Sequence, residues 1–139
     1  MTDYLKNFFK TWVQEKAVTD LDALEVDIFD RVLNVTDRYK GRIPDWDIVN
    51  EVVHGSFFKD HYGDDIWDRV IDLMKEIDPD VKIVFNDYHL IAGDYHKCFL
   101  NYIKGTKPKM DAIGLQSHVS LGFEKGHLRF IRLSTVWKS

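Results

Sequence analysis

Apolar residues recur along this chain in two spacings. From Leu21 to Tyr39 they return every three or four positions, as expected for the buried face of one helix. Two later segments, at about residues 63–78 and 92–104, show the same helical spacing. Short apolar runs typical of buried strands lie between and after these segments, at about residues 45–51, 81–85 and 110–115. The alternation of helix and strand predicts an α/β fold with a parallel sheet.

Capping and helix-breaking residues mark the predicted ends of the helices. Thr19, with Asp22 three residues later, is a variant of the capping box and predicts the start of the first helix. Gly41 is the residue type that commonly follows a last helical turn. Pro79 and Gly105 are expected to end the second and third helices. The aromatic segment before Thr19 is compatible with a short helix or a loop.

Polar side chains stand where each predicted strand ends. They are Asn50 and Glu51, then Asn86, Asp87 and Tyr88, then Gln116 and His118. Because the carboxyl ends of parallel strands meet at one rim, where ligands bind, these groups are expected to converge. A carboxylate after an apolar run costs burial energy unless it is paired or has a chemical task. The ordinary alternatives are a helix cap or a lysine ion pair for Glu51 and strand-end hydrogen bonds for the others.

Composition and charge narrow the possible functions. The 139 residues are 45% hydrophobic and 30% charged, which is typical of one globular domain. A net charge of −4 with dispersed basic residues argues against a nucleic-acid partner and suits a neutral substrate such as a polysaccharide. No apolar run approaches the ~18 residues of a membrane span, so no membrane partner is expected.

The residues that could bind a metal or form a disulfide predict neither in this chain. Glu51 and His54 have a Glu-x-x-His spacing that binds metal on facing helices, but a single copy that leaves a strand does not complete such a site. Cys98 is the one cysteine, so no internal disulfide can form. No metal and no cofactor are expected.

Three phrases in the chain resemble one known family. Trp46 to Glu51, Trp-Asp-Ile-Val-Asn-Glu, resembles the acid/base motif of glycoside hydrolase family 10, the xylanase family. Residues 84–88 and 110–118 are similar to the family's fifth and sixth strand ends. The phrases occur in the family's order, about 30 to 35 residues apart, which is about the length of one βα unit. The resemblance implies a fragment of a TIM (β/α)₈ barrel, about strands 4 to 6 with their helices, from the plant and animal branch.

The resemblance covers only part of a barrel. A (β/α)₈ barrel takes ~250 residues, so this chain holds about half of one. We expect residues 1–139 to be a partial catalytic domain in which about 12–122 resemble the family and the tail 123–139 is unmatched. In the family the nucleophile is carried by a seventh strand that ends in Thr-Glu-Leu-Asp, and no such phrase occurs in the chain.

The resemblance also implies an activity. The family hydrolyses β-1,4-xylan-type polysaccharides by a retaining mechanism with two carboxyl groups, and Glu51 matches the general acid/base. From the residues alone, Asp87 is the candidate for the second carboxylate, in a wider pair that would serve an inverting mechanism. The family pattern speaks against Asp87, because its nucleophile comes from the seventh strand.

Five further residues match positions that the family uses to bind substrate. Asn50 matches the residue that hydrogen-bonds the sugar 2-hydroxyl. Gln116 and His118 match residues that hold the nucleophile in place. Asn86 and Tyr88 match positions that line the leaving-group side of the cleft. Such proteins are expected to be secreted, although the chain begins with no signal peptide.

Two other interpretations are open from the sequence. The first is a non-catalytic truncated half-barrel with at most weak carbohydrate or partner binding, whose sheet edges and barrel-facing apolar side chains would be exposed. The second is a complete small α/β protein of flavodoxin-like order. It is less favoured because no glycine-rich phosphate loop follows any strand.

Overall fold

The helices and strands alternate as the apolar pattern predicts. A computed structural model describes residues 9–55, 57–88, 90 and 95–116. In chain order the elements are α1 (Thr11–Thr19), α2 (Leu21–Tyr39), β1 (Asp45–Asn50), α3 (Phe57–Tyr62), α4 (Ile66–Ile77), β2 (Lys82–Tyr88), α5 (Tyr95–Thr106) and β3 (Ala112–Gln116). His118 and the tail 123–139 lie outside the described residues.

The strands form one parallel sheet in the order β1-β2-β3. Sequential neighbours joined by helices are the repeating unit of a (β/α) barrel. A flavodoxin-like protein would place its first strand between the second and third, so that alternative is wrong. The register of β1 against β2 shifts between Asp47 and Val49, which makes Ile48 a bulged residue just before the strand's polar end.

Helices cover one face of the sheet and create the core. Ile83 and Phe85 of β2 are fully buried there, and Val49 of β1 is 2% exposed. The helical side chains packed against them come from α4 and α5, and they are Val70, Ile71, Met74, Phe99 and Ile103. Each such side chain contributes about 1.5–3 kcal/mol when it is fully buried. Within the described ranges, no helix combines the length and apolarity that a membrane crossing needs.

The opposite face of the sheet, here called the open face, is polar. Alternation along the paired strands assigns it ten positions, which are Asp45, Asp47, Asn50, Lys82, Val84, Asn86, Tyr88, Ala112, Gly114 and Gln116. Only Val84 and Ala112 among them have purely apolar side chains. The predicted exposure of apolar barrel-facing side chains is therefore limited to Ala112, which is exposed, and Val84, which is half-buried. Further exposed apolar surface on the sheet lies on the helix-facing side of β3, where Leu115 is 49% exposed.

Two predicted helix boundaries differ from the structure. Thr19 is the last residue of α1, and the side chain of Asp20 caps α2 by accepting a 2.9 Å hydrogen bond from the Ala23 N–H. Gly105 lies inside α5, which continues to Thr106. The left-handed residue beyond that helix is Lys107, with φ of 48°. A glycine is thus not needed where the chain leaves the helix.

Asp111 ties the amino-terminal ends of two strands to a helix. Its carboxylate accepts 2.9 Å hydrogen bonds from Lys75 Nζ on α4 and from the Ile83 N–H on β2. Lys82 Nζ lies 3.8 Å away. Burial alone would raise the pKa of Asp111, but these hydrogen bonds and the two lysine charges outweigh it and lower the pKa below 3.8. The charged form of Asp111 therefore stabilises the fold.

Replacing Asp111 with asparagine is expected to lower the free energy of unfolding by about 1–2 kcal/mol at neutral pH. Because the pKa is lowered in the folded protein, the contribution is complete above the unfolded pKa and is lost as the pH falls through the folded pKa. Urea unfolding at pH 7 and pH 3 should show the difference from wild type shrinking at pH 3. Asp80→Asn, at an exposed position, is the control; an equal effect at both pH values would contradict this assignment.

Candidate active site

One side-chain amide joins the ends of all three strands. Gln116 Nε2, at the end of β3, lies 2.9 Å from Asn50 Oδ1, 2.9 Å from Asn86 Oδ1 and 3.5 Å from Glu51 Oε1. The first two distances are good hydrogen bonds, and the third is at the limit of one. The structure thus brings together four of the residues predicted to meet at the rim.

Glu51 has an unusual backbone conformation at this rim. Its φ is +61°, in the left-handed region that non-glycine residues rarely adopt and that costs on the order of 1–3 kcal/mol. Strand β1 ends one residue earlier, at Asn50, so the predicted strand 45–51 is one residue too long. The Glu51 N–H still donates to the Asn86 carbonyl at 2.9 Å, and the Gly55 N–H donates to the Glu51 carbonyl at 2.6 Å. The carboxylate therefore leaves the strand on a tight turn.

Asn86 lies at the centre of this arrangement and is 6% exposed. A Cβ at Gly114, on the neighbouring strand, would stand 2.8 Å from the Asn86 Cβ and 3.2 Å from Val84 Cγ1. Only glycine permits that approach without a shift of one strand. Gly114 was not among the predicted site residues, although a glycine inside an apolar strand run is a signal of close backbone approach.

Asp87 faces the other way and is fully buried. Its carboxylate accepts hydrogen bonds from the Val53 N–H at 2.9 Å, from the Tyr88 N–H at 2.8 Å and from His54 Nδ1. Neighbouring residues of a strand point to opposite faces, so Asp87 and the open face are separated by the sheet. The pairing of Glu51 with Asp87 as an inverting pair is therefore wrong.

His54 is held between two tyrosine rings. Its ring centroid lies 3.5 Å from that of Tyr88 and 4.1 Å from that of Tyr95, with interplanar angles of 21° and 14°. The face of Tyr88 towards His54 is thus occupied. No cluster of three or more His, Cys, Asp or Glu side chains arranged for a metal occurs in the described part of the chain. The sequence had indicated His54 only through its spacing from Glu51, and Tyr95 had no predicted role at the site.

Comparison with known proteins identifies the family. The family model described as glycosyl hydrolase family 10 matches residues 6–131 of the chain. The chain belongs to glycosyl hydrolase family 10. Endo-1,4-beta-xylanase 3 of Hypocrea jecorina is 32% identical over 139 residues, a match that covers 90% of this chain and 39% of that protein. Endo-1,4-beta-xylanase 1 of Arabidopsis thaliana is 30% identical and covers 78% of this chain and 12% of that protein.

A relative with a different kind of name also matches. Anti-sigma-I factor RsgI6 of Acetivibrio thermocellus is 26% identical, over 86% of this chain and 16% of that protein. The chain therefore spans less than half the length of each of these relatives.

Solved structures of the family share the fold. The Thermobacillus composti GH10 xylanase superposes with a TM-score of 0.62 at 27% identity, over 81% of this chain and 34% of that one. Xylanase 10B from Thermotoga petrophila, solved in complex with xylobiose, gives 0.57 at 31% identity, over 70% of this chain and 32% of that one. The predicted α/β fragment of a TIM barrel is confirmed.

Gly114→Ala is expected to displace Asn86 and break its hydrogen bond to Gln116, because the new Cβ would collide with the Asn86 Cβ. The free energy of unfolding should fall by about 1–3 kcal/mol, as for other overpacked sites. Urea unfolding measures the loss, and NMR shifts of the Asn86 and Gln116 side-chain amides report the broken contact.

Gly105→Ala in α5 is the matched control, since nothing lies within 4 Å of its added Cβ. That variant should be stabilised by up to about 1 kcal/mol, because alanine favours a helix over glycine. Unchanged amide shifts in Gly114→Ala would contradict the close approach.

Proposed function

We propose that this chain carries the acid/base half of a glycosidase active site for β-1,4-xylan-type polysaccharides, with Glu51 as the general acid/base of a retaining mechanism. The observation that carries the proposal is the position of the Glu51 carboxylate, at the carboxyl rim of the sheet and 3.5 Å from the amide that also binds Asn50 and Asn86. Family membership supports the same assignment.

The proposed chemistry needs Glu51 in two steps. In the first it gives its proton to the glycosidic oxygen as the bond from that oxygen to the anomeric carbon breaks, while a second carboxylate attacks that carbon. In the second it takes a proton from the water that releases the sugar from this carboxylate. The sequence holds no counterpart of Thr-Glu-Leu-Asp, so the attacking carboxylate is assigned to a residue outside it. Residues 1–139 are accordingly proposed to be a partial catalytic domain.

The neighbours of Glu51 are suited to an uncharged, hydroxyl-rich ligand. Asn50 is exposed at the rim and is proposed to bind the sugar 2-hydroxyl. Gln116 is proposed to hold the nucleophile, with His118 from outside the described residues. Asn86 and Tyr88 are proposed to line the leaving-group side. Among the described residues of this set, Asn86 is the most buried, so we expect it to act mainly through Gln116 and the Glu51 backbone.

The net charge of −4 supports a neutral polysaccharide over a nucleic acid as the partner. Secretion stays a prediction from the family resemblance. A solved neighbour from Thermoanaerobacterium saccharolyticum, with a TM-score of 0.60 at 25% identity, is described as an intracellular xylanase.

A second candidate function is carbohydrate or partner binding without turnover. Two observations favour it: the nucleophile phrase does not occur in the sequence, and one relative that covers 86% of the chain is named an anti-sigma factor. The polar open face is also compatible with a sheet that meets solvent or sugar. In this case the same rim would bind xylo-oligosaccharides and release no reducing ends.

Glu51→Gln tests the primary proposal. The amide keeps the shape of the carboxyl group but cannot deliver its proton. Because the proposed nucleophile lies outside the chain, azide is supplied to attack the anomeric carbon in its place. Release of phenol from a phenyl xylobioside by the purified chain should then fall by about 10²- to 10⁴-fold. Binding of xylo-oligosaccharides, measured by NMR titration, should change little. Glu76→Gln, at an exposed position on α4, is the control and should retain the wild-type rate.

Three outcomes separate the candidates. Turnover lost in Glu51→Gln but kept in Glu76→Gln supports the hydrolase. Oligosaccharide binding at the rim with no phenol release by wild type, even with azide, supports the binding function. Neither turnover nor binding by the folded wild-type chain would contradict both.

A further inference from the structure

The turn that follows Glu51 is closed around a buried carboxylate. Residues 51–55 leave β1 and return to β2, where Asp87 Oδ2 accepts the Val53 N–H at 2.9 Å and Asp87 Oδ1 accepts His54 Nδ1. Asp87 is fully buried, so these donors satisfy oxygen atoms that water cannot reach. The turn is thereby tied to the strand residue that directly follows Asn86.

The orientation of His54 is fixed from both sides. Its side chain is 14% exposed and lies between Tyr88, next to Asp87 on β2, and Tyr95, the first residue of α5. The two rings restrict rotation of the imidazole, so its Nδ1 stays directed at Asp87. Three elements, the turn, β2 and α5, therefore meet at one histidine.

We propose that Asp87 and His54 are positioning residues that hold Glu51 in its left-handed conformation and keep its carboxylate beside Gln116. Backbone strain of this kind persists only where the surrounding contacts over-determine it. The Glu51 backbone is held by Asn86 and Gly55, and the residues that follow it are held by Asp87. That this position of Glu51 serves catalysis rests on the proposed function, whereas the hydrogen bonds that hold Glu51 there do not depend on it.

A role in packing alone makes a different prediction. If Asp87 and His54 only filled space, any substitution of similar shape would leave Glu51 unchanged. If their hydrogen bond holds the turn, loss of the donor releases Glu51 even when the ring stack is kept. The donor and the ring of His54 can be removed separately, so the two roles can be distinguished.

His54→Phe and His54→Asn form the matched pair. Phenylalanine keeps a ring between Tyr88 and Tyr95 but cannot donate to Asp87, whereas asparagine has no ring but places an amide N–H near the position of Nδ1. Two NMR readouts on the full chain are used: the backbone ¹³C shifts of Glu51, which report its left-handed φ, and hydrogen exchange of the Val53 amide.

In His54→Phe we expect the Glu51 shifts to move to values for an extended or right-handed backbone, and the Val53 amide to exchange about ten- to a hundredfold faster. In His54→Asn we expect the Glu51 shifts to stay near those of wild type. Unchanged shifts and exchange in His54→Phe would overturn the proposal. So would equal changes in both variants, since the ring stack and not the hydrogen bond would then hold the turn.

Asp87→Asn gives the same test if His54→Phe does not fold. Its amide keeps one oxygen to accept from the Val53 N–H. Its NH₂ group cannot accept from His54 or the Tyr88 N–H, so the Glu51 chemical shifts should again move away from those of a left-handed backbone. Retained Glu51 shifts in a folded Asp87→Asn protein would overturn the proposal. Far-ultraviolet circular dichroism establishes that the variant is folded.

A kinetic readout connects the positioning to catalysis. A misplaced general acid slows the cleavage of a glycoside whose leaving group needs a proton, and it matters little for a dinitrophenolate, which needs none. With azide again supplied as the nucleophile, we expect kcat/KM of His54→Phe to fall about tenfold or more on a phenyl xylobioside and much less on the dinitrophenyl one. Equal losses on both substrates would overturn the positioning role. A wild-type chain that releases no phenol even with azide would count against the proposed hydrolase, and the NMR comparison would still decide whether the hydrogen bond positions Glu51.

Discussion

The geometry of the site depends on strand β2, which holds Glu51, the residue after β1, through contacts on both faces of the sheet. Asn86 accepts the Glu51 N–H with its backbone and binds Gln116 with its side chain on the open face. Asp87, one residue later, points to the helix-covered face and holds the turn that follows Glu51. Because side chains alternate along a strand, the consecutive residues Asn86 and Asp87 can make these contacts on opposite faces of the sheet. The close approach of Gly114 to Asn86 then fixes the third strand against the other two.

Much of this fold follows from the sequence because its signals are local or periodic. The apolar stripe of Leu21 to Tyr39 and the short strand runs predict the element order, and the polar strand ends predict which residues meet at the rim. Boundaries were less predictable where two residues competed for one role. Asp20 caps α2 although Thr19 precedes it, and α5 passes through Gly105 because nothing crowds or strains the helix there.

The features that sequence could not supply depend on contacts between distant residues. Nothing local to His54 indicates that its ring would stack on Tyr88 and Tyr95, which lie more than thirty positions away along the chain. The same is true of the backbone of Glu51, whose φ of +61° is stabilised by partners on β2 and in its own turn. Asp87 resembled a second catalytic carboxylate because the sequence shows that it lies at a strand end. The sequence does not show to which face of the sheet its side chain points.

Charge and strain are distributed unequally between the two ends of the sheet. At the amino-terminal end, the ion pairs of Asp111 with Lys75 and of Asp72 with Lys109 join α4 to the segment just before β3, and the hydrogen bond to Asp72 raises the pKa of Lys109. At the carboxyl end, the side chains nearest Glu51 on the open face are the neutral amides of Asn50, Asn86 and Gln116, which under the proposed function exchange their partners for sugar hydroxyls. This division matches the general separation in (β/α) barrels between a stabilising face and a chemical face. A strained glutamate among neutral amides can change its partners at little electrostatic cost, which is what the proposed role of Glu51 as proton donor and acceptor requires.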